Sequence, residues 1–499
     1  MTARSAVELA RAIRDREITA AEVVEAHIER HEQFGPRINA IVASRFDEAR
    51  EEAAAADALI ASCSSPADLP PLLGVPFTVK ESIAVRGMPS SAGLAARRDF
   101  RSPESAPAVR RLCAAGAIPL GVTNTSELTL WIESENRLYG RTNNPYDPRR
   151  AAGGSSGGEG AAVGYGGSPF GLASDIAGSI RIPACFCGVF GHKPSSGLVP
   201  NSGLYPPTVG TAGRLLGTGP LARRAEDLMP LLRTIAGPDG IDPLVREVTL
   251  GDPSLVSLDG ISVVTVEASA RRPISREVRD ARERAVGALA AAGARVRSIP
   301  MRSWRTAVAP FLATLQAESG SDATTLQLLE AAGEARPTWR SLLRRGGPHT
   351  LPTRAALAAE LLPRGAGSET RPQRRLLQAG RALVDELLDA IGDGVLLHPV
   401  HPTVAPPHGR TLGRLWLLAP AAVFNLAGVP VTEVPLGLSE RGLPLGVQVA
   451  AGLDRDHVAI AVARELERVF GGWRPPPVPP ASPTSNLNTA RTRFQGPRR

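Results

Sequence analysis

Short apolar runs of strand length alternate with helix-forming segments along most of this chain, and that alternation leaves few architectures open. Val75–Val79 and Ile118–Val122 have the β-branched, apolar character of buried strands, with the helix-like Ala106–Ala115 between them. Ile261–Glu267 and Val395–Val400 repeat the strand pattern later. Buried strands joined through helices imply an α/β fold in which helices cover a sheet on both faces. Near the C-terminus, Val431–Leu438 and Leu445–Ala450 flank Ser439-Glu440-Arg441-Gly442, a hairpin connection. Antiparallel pairs therefore join the parallel ones, and the expected core is a large, mixed, twisted β-sheet.

The first sixty residues read as two or three helices, with the apolar Ile38–Ala43 between the second and third. Residues 304–377 differ in texture. They are Arg-rich and helix-forming, broken by Gly346-Gly347-Pro348 and Gly365-Ala366-Gly367, as expected of a mobile helical cap or insertion. From Arg474 the chain turns Pro-rich, then polar and basic, without hydrophobic periodicity. The expected division is one body over 1–473 and a disordered tail over 474–499.

Several function classes fall away. The net charge is +8, but the arginines are scattered along helix faces and aromatics make up only 4%, so the stacking residues of a single-strand binder are missing and no nucleic-acid partner is expected. The most apolar long run, Leu415–Val431, is interrupted by Pro420, Asn425, Gly428 and Pro430. It suits a buried helix and turn, and no stable membrane insertion is expected. Met1–Arg30 is charged and amphipathic without the apolar stretch of a secretory signal, so a cytoplasmic location is expected. Four cysteines make no disulfide framework at this length, and Cys185-Phe186-Cys187 lacks a second pair. His398, His401 and His408 lack acidic companions, so no metal or cofactor is expected and these rings are placed at a cleft edge or in solvent.

The chemistry concentrates around two lysines. Of 57 basic residues only Lys80 and Lys193 are not arginine. Arginine cannot lose its proton near neutral pH, so a retained lysine marks a place where an amine is needed. Lys80 ends the apolar run Gly74-Val75-Pro76-Phe77-Thr78-Val79, where desolvation lowers its pKa toward the range of a general base. Downstream, eight glycines between Gly153 and Gly167 free backbone N–H groups for close approach. A phosphate loop is excluded because Gly-x-x-x-x-Gly-Lys-Ser/Thr is absent. Gly153-Gly154-Ser155-Ser156-Gly157 matches the nucleophile-elbow pattern, but turn residues, not a strand, precede it.

The stretch Ser174-Asp175-Ile176-Ala177-Gly178-Ser179-Ile180-Arg181-Ile182-Pro183 presents a serine after a small-residue turn at the start of a short apolar helix. Successive N–H groups at such a turn can stabilise an oxyanion, worth about 3–4 kcal/mol per donor. Ser179 is then a candidate nucleophile. No histidine lies between His31 and His192; a base can come from elsewhere in the fold, and Lys80, at the end of its apolar strand and acting through Ser155, is the candidate that fits. Asn425 sits among apolar neighbours and must find hydrogen-bond partners, which gives it a structural role.

Gly153–Gly158, Ser174–Pro183 and Lys80 together resemble the signature of the amidase signature family of serine hydrolases, over nearly the whole chain to Gly472-Trp473. Glu159, Gly191-His192-Lys193-Pro194-Ser195, Thr218-Gly219-Pro220 and Phe470-Gly471-Gly472-Trp473 are similar to its fatty-acid amide hydrolase branch. The resemblance implies a cofactor-independent hydrolase of linear amide carbon–nitrogen bonds. In it Ser179 attacks the carbonyl, while Ser155, held through a cis peptide, passes the proton to neutral Lys80. It places the oxyanion donors on Ile176, Ala177, Gly178 and Ser179, loop support on Ser156, Asp175 and Arg181, and a structural role on Lys193. The expected partner is a small-molecule amide, and homodimer assembly stays open. A second implication is a glutamine-hydrolysing protein similar to the catalytic chain of an amidotransferase, working with partners on transfer RNA. Ala177-Gly178 stands where the family pattern usually has Gly-Gly, which sets a methyl beside the expected oxyanion donors and would forbid a positive φ there.

Overall fold

The computed structural model describes residues 1–208, 210–267, 274–301, 303–319, 324–344, 346–361 and 370–478. Gly365-Ala366-Gly367 and all but the first few residues of the expected tail lie outside the described residues.

Eleven of the described strands form one sheet. β1 (Ile41–Ser44), β2 (Pro76–Lys80) and β3 (Ile118–Thr123) precede a small separate ladder of β4 (Glu135–Asn136) and β5 (Gly140–Arg141). Then come β6 (Phe170–Asp175), β7 (Phe190–Lys193), β8 (Gly217–Ala222), β9 (Ser262–Val266) and β10 (Arg295–Ile299). β11 (Val395–His398), β12 (Val431–Leu438) and β13 (Pro444–Ala451) complete the sheet. The order across it is β1-β3-β2-β6-β8-β7-β12-β13-β11-β9-β10.

The sheet is mixed, and the connections decide which pairs run parallel. Helix Pro107–Ala114 intervenes between β2 and β3, and helix Arg276–Ala291 between β9 and β10; both pairs are parallel. Where the link is the short Ser439–Gly442 turn, β12 returns antiparallel on β13, closed by Ser439 N–H donating to Leu443 O at 2.7 Å. Alternate side chains feed two cores. Val263, Leu397 and Val449 pack on one face with Leu9, Ile13 and Val462 from helices Ala6–Arg14 and Asp456–Phe470. Val264, Leu396 and Ala450 pack on the other with Phe311, Leu383 and Val423 from helices Val308–Ser319, Arg371–Ile391 and Ala419–Ala427.

The N-terminal region holds three helices, Ala6–Arg14, Ala20–Ile38 and Phe46–Ser62, with β1 before the last. Within 304–377, Val308–Ser319 and Arg371–Ile391 belong to the second core. Helices Thr325–Ala331, Trp339–Leu343 and Leu351–Leu361 form a layer of their own, closing Leu326, Leu329, Leu342 and Leu357 over Leu94 and Leu128 of the body. His349 fastens that layer: its ring lies 2.9 Å from Glu127 and 3.1 Å from Glu334. His401 departs from the expected cleft edge. It is buried edge-on against Phe186, with centroids 5.0 Å apart, because an aromatic face was there to cover it. His398 packs half-buried on Trp304. Among the described residues, no helix is long and apolar enough to cross a membrane.

Candidate active site

Lys80 closes β2, a strand buried along its whole length between β3 and β6. Backbone pairing thus carries the lysine into the interior. Nζ lies 2.7 Å from Ser155 Oγ and 3.1 Å from Ser174 Oγ. Burial pushes its pKa down to about 7, against the opposing pull of Asp175 and Glu159. A neutral amine keeps two N–H groups and gains a lone pair, so Lys80 can donate to one hydroxyl and accept from the other.

The Gly/Ser loop is tight enough to need its glycines. A Cβ on Gly154 would stand 2.6 Å from Trp131 O, and one on Gly153, at φ +89°, 2.7 Å from Pro183 Cα. The Gly154–Ser155 peptide is cis. Ser155 O accepts from Thr125 Oγ1 at 2.8 Å, Ser134 Oγ at 2.9 Å and Ser126 N–H at 3.3 Å, which fixes the residue independently of its hydroxyl. Helix Gly157–Gly164 follows at once and carries Glu159 beneath the sheet. There the carboxyl accepts from Thr123 Oγ1 at 2.6 Å and from Thr78 Oγ1. Burial pushes Glu159 up to about 7, opposed by those hydroxyls and by Lys80.

The loop leaving β6 wraps around one carboxylate. Asp175 accepts from the N–H groups of Gly178 at 2.7 Å, Ile180 at 3.1 Å and Arg181 at 3.4 Å, and pairs with the Arg181 guanidinium at 2.9 Å. Burial would raise this carboxyl, but Arg181 and the Gly178 N–H outweigh it and hold it well below the usual carboxylate range. Because Gly178 donates to Asp175, the N–H groups of Ile176, Ala177 and Ser179 are the ones left without an acceptor among the described residues. The expected oxyanion role of Gly178 therefore changes to shaping the turn. It takes φ +104°, and a Cβ on it would meet Ala421 Cβ at 2.6 Å. Ala177 has no positive φ, so its methyl imposes no left-handed backbone strain. Ile176 and Ala177 are half-buried against the second core.

Ser179 is 7% exposed, and its hydroxyl has no hydrogen-bond partner among the described residues. Its carbonyl accepts from Ser156 N–H at 3.3 Å, which ties the two serine loops together, and Ser156 Oγ lies 3.4 Å from Ser174 O. Lys80 and Ser155 are thus in direct contact, with Ser179 on the adjoining loop. Lys193 is interior too, near enough to Asp175 and Arg181 to feel both charges, and donates to Pro194 O at 2.7 Å. Burial and Arg181 push it down to about 8.

Ser174 was missed by sequence reasoning, although as the residue before Asp175 it had one available signal: a hydroxyl on the strand beside β2. Gln448 was missed outright. It holds Arg181 Nη1 at 2.9 Å through Oε1, from a strand far along the chain.

A buried lysine bonded to a serine, beside a second serine on a turn with three N–H groups free among the described residues and set in a large mixed α/β sheet, is the arrangement of a serine-type hydrolase. The chain belongs to the amidase signature family: the family model described as Amidase matches residues 22–458. It is 43% identical to fatty-acid amide hydrolase 2-A of Danio rerio, over 95% of this chain and 90% of that protein. It is 40% identical to fatty-acid amide hydrolase 2 of Homo sapiens, over 94% of this chain and 89% of that protein. A glutamyl-tRNA(Gln) amidotransferase chain of Exiguobacterium sp. is more distant, 30% identical over 93% of this chain and 97% of its own length. The structure of native peptide amidase from Stenotrophomonas maltophilia superposes with a TM-score of 0.77 at 25% identity, covering 95% of this chain and 98% of that one.

Proposed function

We propose that this chain is an amidase that hydrolyses small carboxylic amides, preferentially with apolar acyl groups, through an acyl-enzyme on Ser179. The observation that carries the reading is the 2.7 Å contact between an interior Lys80 and Ser155. Ser179 Oγ attacks the amide carbon; its proton passes to Ser155 Oγ, and that of Ser155 to Lys80 Nζ. The carbonyl oxygen becomes an oxyanion facing the N–H groups of Ile176, Ala177 and Ser179. As it collapses, the C–N bond breaks and the leaving nitrogen takes the proton back along the relay. Water then attacks the acyl-enzyme, releasing the acid and restoring Ser179. The apolar preference is supported by the half-buried Ile176 and Ala177 against a core containing Trp304 and Phe311, and by the similarity to a fatty-acid amide hydrolase.

A fluorophosphonate probe followed by peptide mapping tests this reading. It should label Ser179, and Ser179→Ala should lose both labelling and amide turnover while remaining folded. Turnover that survives in Ser179→Ala refutes it. The amidotransferase reading rests on the lower, 30% identity, and it predicts glutaminase activity only with partner proteins bound.

A further inference from the structure

Helix Ala419–Ala427 buries Ala419, Ala421, Ala422, Val423, Phe424 and Leu426, and among them Asn425, which is 1% exposed. A polar side chain in such surroundings costs stability unless every hydrogen bond is made. Here all are made. Oδ1 accepts from Arg181 Nη2 at 2.6 Å, while Nδ2 faces Asp175 O at 2.9 Å, Asp175 Oδ1 at 3.1 Å and Leu215 O at 3.0 Å. These partners fix the amide's orientation, since a guanidinium only donates and the other three atoms only accept.

Two of the three Nδ2 acceptors belong to Asp175, the residue from which the Ile176–Ser179 turn hangs. Arg181 grips the carboxylate alone; Asn425 also grips the backbone carbonyl, at the point where β6 ends and the turn begins. Gln448 makes the contrast plain. It touches Arg181 and Pro420 O but neither Asp175 nor the turn.

We propose that Asn425 is a positioning residue for amide hydrolysis, its Nδ2 fixing Asp175 so that the free N–H groups of the Ile176–Ser179 turn converge on the substrate oxygen. The inference rests on the reading of that turn as the oxyanion site. Asn425 touches no reacting atom and acts wholly through Asp175. Its removal should therefore weaken binding of the tetrahedral state while leaving ground-state binding alone.

The experiment uses the purified full chain with Asn425→Asp, Asn425→Leu and Asn425→Ser. Asn425→Asp keeps the acceptor for Arg181 but turns the donor toward Asp175 into a second carboxylate. With octanoyl p-nitroanilide as substrate, kcat should fall about 100-fold, the scale of losing one oxyanion donor, with KM changed by less than about twofold. Affinity for phenylboronic acid, which forms a tetrahedral adduct on a serine, should fall by the same factor in calorimetry, while inhibition by octanoic acid stays unchanged. Calorimetry needs no turnover, so an inactive wild type that still binds the boronate counts against the substrate class and leaves the positioning role standing. A folded variant that keeps kcat within about threefold, or loses kcat without losing boronate affinity, overturns the proposal. So does failure of all three variants to fold, which would make Asn425 a determinant of the fold alone.

Discussion

Replacing Lys80 by methionine keeps a stem of similar length and deletes the titrating nitrogen, so it separates what the amine does for catalysis from what it costs the fold. In the wild type, burial pushes Lys80 down to about 7. A base with that pKa is about 9% neutral at pH 6 and about 91% neutral at pH 8, so kcat/KM should climb about tenfold between those values and level off above. A lysine with the ordinary value of about 10.4 would instead leave the profile rising beyond pH 9. Lys80→Met should lose about 10²–10⁴-fold in kcat/KM, the worth of a positioned general base, together with the acid limb itself. The stability effect has the opposite sign. Between about 7 and 10.4 the folded wild type binds fewer protons at this site than the unfolded chain, so it gains stability as pH rises through that window. Below about 7 the buried ammonium is at its most costly, and there Lys80→Met should be the more stable protein. Steady-state rates from pH 5.5 to 9.5 and urea denaturation at pH 6 and 9 measure both effects. A flat wild-type profile, a midpoint near 10, or Lys80→Met with full turnover would refute the reasoning.

Glu159→Gln removes a carboxyl that favours the Lys80 ammonium when ionised; because burial pushes Glu159 itself up to about 7, the acid limb of the rate profile should move only modestly to lower pH, and a limb that moves to higher pH refutes the coupling. Gly178→Ala places a methyl on a residue at φ +104° and against Ala421 Cβ at 2.6 Å. It should cost about 2–4 kcal/mol in denaturation, from left-handed strain and overpacking together, and lower kcat as the turn shifts; a loss under about 0.5 kcal/mol refutes this. Burial lowers the His349 pKa, but Glu127 and Glu334 outweigh it and raise the group to about 9. Its folded pKa therefore exceeds its unfolded value of about 6.5, so its contribution is complete below that value and is lost as pH rises through about 9. His349→Gln should accordingly destabilise the protein more at pH 6 than at pH 10, and an equal loss at both sinks the ion-pair account.

Local pattern carried much of this site into the sequence. Lys80 stood out because arginine serves almost everywhere else, and the strand that buries it was visible as an apolar run. Ser155 and Ser179 came with their glycine contexts and with the family resemblance. What local pattern could not show was which N–H of the Ile176–Ser179 turn would be spent on Asp175, because that depends on the path of the turn in space. Nor could it divide 304–377. An amphipathic helix shows that one face is apolar, not whether that face meets the main sheet, as Phe311 does, or a small cluster of its own, as Leu329 does. Asn425 was visible only as a polar residue in an apolar run, with its partner Arg181 lying 244 positions upstream.

That separation in sequence says how the enzyme is built. The groups proposed to react with substrate all lie before residue 180, but the guanidinium beside them is satisfied in part from beyond residue 420. Arg181 is completely buried and presents five N–H donors. Asp175 accepts from Nε and Nη2; Asn425 Oδ1 also accepts from Nη2, at 2.6 Å, and Ala421 O and Gln448 Oε1 accept from Nη1, at 3.2 and 2.9 Å. A buried guanidinium left with Asp175 alone would keep its counter-charge but hold N–H donors without acceptors, each a defect of about 1–3 kcal/mol beside the Ile176–Ser179 turn. The turn's own bonds to Asp175 are thus completed from the far end of the chain. Helix Ala419–Ala427 and β13 therefore brace the turn that carries the proposed nucleophile, although neither supplies a group proposed to react.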